Sequence, residues 1–155
     1  MKQSPSELED HLGYWLRCLS NFVHQGFATR LDRHGVSVPQ WVVLRCLFDR
    51  EDSSLGDLAA SVGVDHGALS RMVERLVQKG LLRRETDPSN RRAVRLGLTE
   101  AGKELVPKLA KEADENDAAF FGVLDDRERT RLLLAVRTVL AANGWRSETH
   151  GKAVD

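Results

Sequence analysis

At Gly80 the apolar residues of this chain stop recurring every three or four positions and begin to alternate. Before it, Leu55, Leu58, Ala59 and Val62 fall on one stripe and Leu69, Val73 and Leu76 on another, the spacing of two short helices that each bury one face. After it, "LLRRE" and "AVRLGL" alternate, with Val94, Leu96 and Leu98 on one side, and "TDPSNR" between them is rich in turn formers. The segment reads as two helices joined by the turn "SVGVD" and followed by a β-hairpin. That order describes a helix-turn-helix with a wing.

The flanks read as helices. Leu8, Leu12, Trp15, Leu16, Leu19, Phe22, Val23 and Phe27 predict a helix over about 6–33 with one broad apolar face. Ser37 caps a second helix, with Pro39 in its first turn and an apolar run to Phe48. Ser54 with Asp57 forms a capping box for the third helix, closed by Gly63, and Asp65 caps the fourth. Thr99 opens a helix to about Phe121, which Pro107 is expected to kink. Asp125 with Glu128 opens the last, whose Leu132, Leu133, Val136 and Leu140 run to a stop at Asn143-Gly144. The predicted fold is mostly α with a small β-hairpin wing, in the order α-α-α-α-β-β-α-α. Residues 37–98 form the winged lobe, 1–36 and 99–145 a helical dimerisation region, and 146–155 a flexible tail. The first and last helices carry more apolar surface than a small core needs, which points to a homodimer.

Charge matters through its distribution. The chain has 23 Lys and Arg against 23 Asp and Glu. Residues 63–98 hold eight basic and four acidic residues, whereas 99–128 hold four basic and nine acidic. The positive block coincides with the helix-turn-helix and hairpin, so double-stranded DNA is the expected partner. A helix fits the major groove, and side chains near its N-terminus reach base edges. Here these are His66, Gly67, Ser70 and Arg71. Arg75 and Lys79, farther along, suit backbone phosphates. A hairpin beside such a helix reaches the adjacent minor groove, whose negative potential attracts Arg91 and Arg92.

These motifs carry a family resemblance. "LGDLAASVGVDHGALSRMVERLVQKGLLRRETDPSNRRAVRLGLTEAGKEL" resembles the MarR family of bacterial winged-helix regulators, whose pattern includes "D-P-x-D-R-R" and "L-T-x-x-G". The likeness is close over about residues 37–105. It implies that Ser70, Arg71 and Arg75 lie on the recognition helix, Arg84 on a wing strand, and Arg92 at the wing tip that enters the minor groove. It also implies a homodimer reading a pseudo-palindromic operator, most often as a repressor. Asn90 departs from the pattern, which places an acid there.

No catalytic or metal-binding constellation is visible: His11, His24, His34, His66 and His150 are scattered, and no phosphate-binding glycine loop or GxSxG occurs. No cofactor is expected. Cys18 and Cys46 lack CxxC spacing and fit a reducing cytoplasmic setting, within a chain that offers no signal core or membrane span. They read as inert thiols in apolar runs, with a thiol-based oxidant sensor as the alternative. Tyr14, Trp15 and Trp41 are expected to border a pocket for a small aromatic carboxylate effector, with Arg17 or Arg45 as counter-charge. A further alternative is a winged helix that docks proteins, to which the acidic stretch "EADEND" at 112–117 would be complementary in trans.

Overall fold

The computed structural model describes residues 5–50 and 52–146. Six helices occur among them: α1 (Leu12–Asp32), α2 (Val38–Phe48), α3 (Leu55–Val62), α4 (His66–Gln78), α5 (Glu100–Phe121) and α6 (Asp126–Ala142). Strands β1 (Ser53–Ser54), β2 (Leu82–Asp87) and β3 (Asn90–Leu98) form one antiparallel sheet in the order β1-β3-β2. Leu82 lies opposite Leu98 and Arg84 opposite Leu96, while Ser53 meets Leu96 from the other side.

Local chemistry places these boundaries. Ser37 Oγ accepts the Gln40 N–H at 3.3 Å and Gln40 Oε1 accepts the Ser37 N–H at 3.2 Å, a complete capping box with Pro39 in the first turn of α2. Asp65 Oδ1 accepts the Ala68 N–H at 2.9 Å and starts α4. Gly63 ends α3 at φ +81°, a left-handed conformation that favours glycine. Asp125 and Glu128 satisfy each other's backbone N–H at the start of α6, as their spacing predicts.

The core gathers Leu58, Ala59 and Val62 of α3 with Leu69, Val73 and Leu76 of α4. Val43, Leu44 and Leu47 of α2, Leu82, Leu96 and Leu98 of the sheet, and Val106 and Leu109 of α5 close it. Each buried leucine contributes about 1.5–3 kcal/mol relative to exposure, so α3 and α4 are fixed chiefly through this cluster. Helices α1 and α6 contribute little to it. Only Leu31 of α1 is buried, and no residue of α6 is.

Several boundaries differ from the sequence reading. The first helix begins at Leu12 rather than Ser6, after a 3-10 turn at Leu8–Asp10. There the Asp10 carboxylate accepts the Glu7 N–H at 3.0 Å and closes the turn before α1 starts. At α3, Ser54 Oγ accepts the Asp57 N–H, but it donates to the Asp57 carboxylate at 2.7 Å in place of the return bond of a capping box. Strand β1, two residues long, was not expected, because two residues carry no alternation to detect. Helix α5 spans Glu100–Phe121, as expected, with Pro107 inside it. Of the expected tail, residues 147–155 lie outside the described residues, and so does His150.

Candidate nucleic-acid interface

Helix α4 is strongly two-sided. Leu69, Val73 and Leu76 face the core, while His66, Gly67, Arg71, Glu74 and Arg75 are exposed and Ser70 is half-buried. For Gly67, Arg71, Glu74 and Arg75 the spacing accounts for this outcome, because two steps along a helix is about half a turn from a buried position, while Met72 and Val77 at the edge still pack against the core. Hydrogen bonding by the Ala68 N–H holds the Asp65 carboxyl below its ordinary value, and the backbone N–H of Gly67 and the Arg71 charge add to the effect. The helix therefore keeps its capping anion at neutral pH, beneath an outward cationic face.

Lys79, expected to meet a phosphate, is held within the chain by contacts to α2 and the turn before it. Its Nζ donates to the Gly35 carbonyl at 2.5 Å and to Gln40 Oε1 at 3.1 Å. The ammonium thereby fastens the end of α4 to the cap of α2. By contrast, no acidic side chain lies within ion-pair distance of Arg71, Arg75 or Arg84 among the described residues.

The hairpin is braced by carboxylates from outside and inside it. Arg83 of β2 pairs with Asp52 Oδ1 at 2.7 Å and donates to the Leu98 carbonyl at 3.2 Å. Arg95 of β3 meets Asp87 at 3.3 Å and Asp52 at 3.8 Å. Gly97 supplies the room, since a Cβ there would lie 2.9 Å from both the Arg83 guanidinium and the Asp52 carboxylate. At the turn, Asp87 Oδ1 accepts the Ser89 hydroxyl at 2.6 Å and the Ser89 N–H at 2.8 Å. These bonds, the hydroxyl first, hold the Asp87 carboxyl below its ordinary value, with help from Arg95. An acid three residues earlier thus organises the turn that Asn90 follows. Arg91 and Arg92 sit on β3 just past this turn rather than within it, and their side chains lie outside the described part of the structure.

A cavity of 470 Å³ opens behind the winged helix, between α1, α2 and α5. Of the five residues expected to form an effector pocket, only Trp41 lines it. Tyr14 and Trp15 stack edge to face at 5.3 Å near the start of α1, with Trp15 Nε1 donating to the Glu9 carbonyl at 2.9 Å. Arg17, one turn along, is exposed. Arg45 pairs with Asp49 at 2.6 Å and lies over the Phe48 ring, turned to the outer side of α2. Tyr14, Trp15, Arg17 and Arg45 therefore lie outside this cavity, and Arg45 lines with Trp41 a second hollow of 510 Å³ along α2. Val23, Phe27 and Phe121 line the first instead.

A family model described as "MarR family" matches residues 36–94. The transcriptional repressor NicR of Pseudomonas putida is 32% identical over 101 residues, 65% of this chain and 64% of its own length. The regulator TtmR of Methylorubrum extorquens is 26% identical over 108 residues, 70% of this chain but 55% of the relative. The chain thus spans little more than half of that relative. A solved structure of BpsR from Bordetella bronchiseptica, described in terms of regulation of its DNA binding by 6-hydroxynicotinic acid, superposes with a TM-score of 0.77 at 27% identity. That likeness takes in 88% of this chain and 97% of BpsR. Residues 36–94 thus match the MarR family model, and the fold that surrounds them is similar to that of BpsR.

The MarR-family match takes in all eight candidate DNA-contacting residues, from His66 to Arg92. It stops before the "LTEAG" stretch, whose role the geometry explains. Thr99 Oγ1 accepts the Gly102 N–H at 3.1 Å, starting α5, and donates to the Gly80 carbonyl at 2.6 Å. The same threonine thus joins the end of the α4 region to the start of α5. The acidic stretch at 112–117 is engaged within the chain. Glu112 and Glu115 pair with Arg30, Glu112 also meets His34 at 3.0 Å, and Asp117 pairs with Arg129. Sequence reasoning missed Asp52, Gln40 and the His34–Glu112 contact, since pairs separated by tens of residues leave no local spacing to read.

Proposed function

We propose that this protein is a homodimeric, sequence-specific DNA-binding transcriptional repressor of the MarR family. In this reading α4 lies in the major groove, where His66, Gly67, Ser70 and Arg71 meet base edges and Arg75 meets a phosphate. The hairpin extends along the backbone through Arg84 and brings Arg91 and Arg92 to the neighbouring minor groove. The observation that supports it most directly is the exposed face of α4, where Arg71 and Arg75 have no acidic partner among the described residues while neighbouring Arg83 and Arg95 do. Repression follows the naming of the Pseudomonas relative.

Dimerisation rests on the apolar residues that α1 and α6 leave in water, among them Phe22 at 67% and Leu134 at 64% exposure. A second copy covering them would set two recognition helices about one turn of DNA apart, the spacing of a pseudo-palindrome. The cavity beside α2 makes a small-molecule effector the natural means of release, as the description of BpsR suggests for that protein.

Selection of bound sequences from random duplex DNA at physiological salt tests the reading. The expected product is a two-half-site palindrome, bound with an affinity that falls steeply as salt rises. Weak, salt-insensitive binding with no enriched site would overturn it.

A further inference from the structure

Resting on the regulator reading above, we propose that Glu74 determines sequence specificity, its carboxylate accepting a hydrogen bond from the amino group of a cytosine in the major groove. Leu69, Val73 and Leu76 fix which side of α4 faces the core. At about 3.6 residues per turn, Gly67, Arg71, Glu74 and Gln78 then share one outward stripe, and all four are exposed. One of the four is an acid. It stands within the block of the chain that holds eight basic residues against four acidic ones.

The two arginines beside it lean away. Arg71 folds back over the first turn of α4, where its Nη1 lies 3.8 Å from the place a Cβ of residue 67 would take. From there its charge adds to the Ala68 hydrogen bond that holds the Asp65 carboxyl below its ordinary value. Arg75 lies on the flank toward the α1–α2 turn, where it borders a hollow of 660 Å³ with Lys79, Ser37 and Gln40. Among the described residues no cation stands within ion-pair distance of the Glu74 carboxylate. Its charge is left facing outward, on the side that meets the bases.

A carboxylate brought into a DNA groove is repelled by the phosphates, and only a donor on a base edge offsets the loss of its water. In the major groove those donors are the amino groups of cytosine and adenine. Adenine sets its N7 acceptor beside that amino group, against the second carboxylate oxygen, so cytosine is the better match. Guanine offers only the acceptors O6 and N7 and is the worst. Arg71, three residues back, stands about 4.5 Å nearer the helix start, roughly one base step of about 3.4 Å. Its guanidinium suits the O6 and N7 of a guanine. The two residues thus read a guanine and a nearby cytosine in each half-site, and Glu74 acts as much by rejecting wrong sequences as by holding the right one.

Selection from random duplex DNA at physiological salt, run on the full chain and on its Glu74→Ala, Glu74→Gln and Arg71→Ala variants, tests the assignment. The unsubstituted protein should enrich a cytosine in each half-site, within two base steps of the guanine that Arg71→Ala loses. In competition titrations Glu74→Ala should weaken that cytosine preference about tenfold or more, keep the guanine, and bind non-specific duplex more tightly. Glu74→Gln should admit adenine at the same position, because an amide matches adenine N6 and N7. The exposed position leaves the melting temperature unchanged, which separates a lost base contact from a lost fold. A motif from Glu74→Ala identical to that of the unsubstituted protein would overturn the assignment and leave the regulator reading intact. No enriched motif for any of the four proteins would sink that reading itself.

Discussion

A methyl group added at position 102 would meet the Leu81 carbonyl oxygen at 2.3 Å and the Leu98 side chain at 3.2 Å, so the glycine of "LTEAG" is required by contact. Its helical position also rules out a role for backbone freedom. Gly102→Ala is expected to force α5 away from the β2 start at a cost of about 1–3 kcal/mol, read as a lower midpoint in urea unfolding. An unchanged midpoint would mean that the Thr99 cap tolerates the shift. The motif was legible in the sequence, but its cause was not, because the atom it avoids belongs to a residue 21 positions earlier. The same division holds among the arginines. Outward placement of Arg71 and Arg75 follows from helical period alone, whereas nothing in the spacing distinguished Arg83 and Arg95, which brace the hairpin, from Arg84, which has no acidic partner among the described residues. We expect Arg92→Ala to weaken operator binding by about 1–3 kcal/mol and to flatten preference for narrow, A·T-rich minor grooves. Arg75→Ala should weaken all sequences alike and lower the salt slope by about one contact. Competition titrations over several salt concentrations separate the two, and a loss confined to one base position would reassign Arg75 to base reading.

At the scale of elements, caps were the most readable feature, since a side chain and an N–H three residues apart are joined by local geometry. Ser37, Asp65, Thr99 and Asp125 all cap the helices expected of them. Contacts between elements were unreadable for the converse reason. The α1–α5 crossing is the clearest case. Gly26 lets the helices approach, since a Cβ there would lie 2.7 Å from the Phe120 ring, and Arg30 and His34 then meet Glu112 farther along. The His34 hydrogen bond first, and Arg30 next, hold the Glu112 carboxyl below its ordinary value near 4.5. Because folding depresses this pKa, its stabilisation is complete above the ordinary value and is lost as pH falls through it toward the folded one. Glu112→Gln should therefore lower the melting temperature at pH 7 and flatten its decline between neutral pH and the carboxylate range. Parallel melting curves for the two proteins across that range would show that the contact carries no linkage.

For the whole molecule, the distribution of burial separates two kinds of helix. Removing α6 from water-facing isolation would not disturb the core, because none of its residues is buried, yet Leu132, Leu133, Leu134, Val136, Val139 and Leu140 lie along it. Evolution of a lone helix so apolar has no support from the monomer's own packing, and an exposed apolar surface of this kind marks an association site. Leu16 and Leu19 of α1 join Leu132, Leu133 and Val136 around one groove, which makes the two helices parts of a single apolar surface. If a second copy covers that surface, charge placed on it should separate the copies without unfolding either. Leu133→Glu combined with Val136→Glu, one helical turn apart on the groove side, tests this by sedimentation. We expect a dimer to become a monomer whose thermal transition stays cooperative, since the winged core keeps every buried contact. Affinity for a single half-site should be unchanged, while affinity for the two-half-site operator should fall roughly 100-fold or more, as the second half-site is no longer engaged within one complex. A variant that remains dimeric would move the interface off α6. A monomer that still binds the full operator undiminished would show that one winged helix reads its site alone.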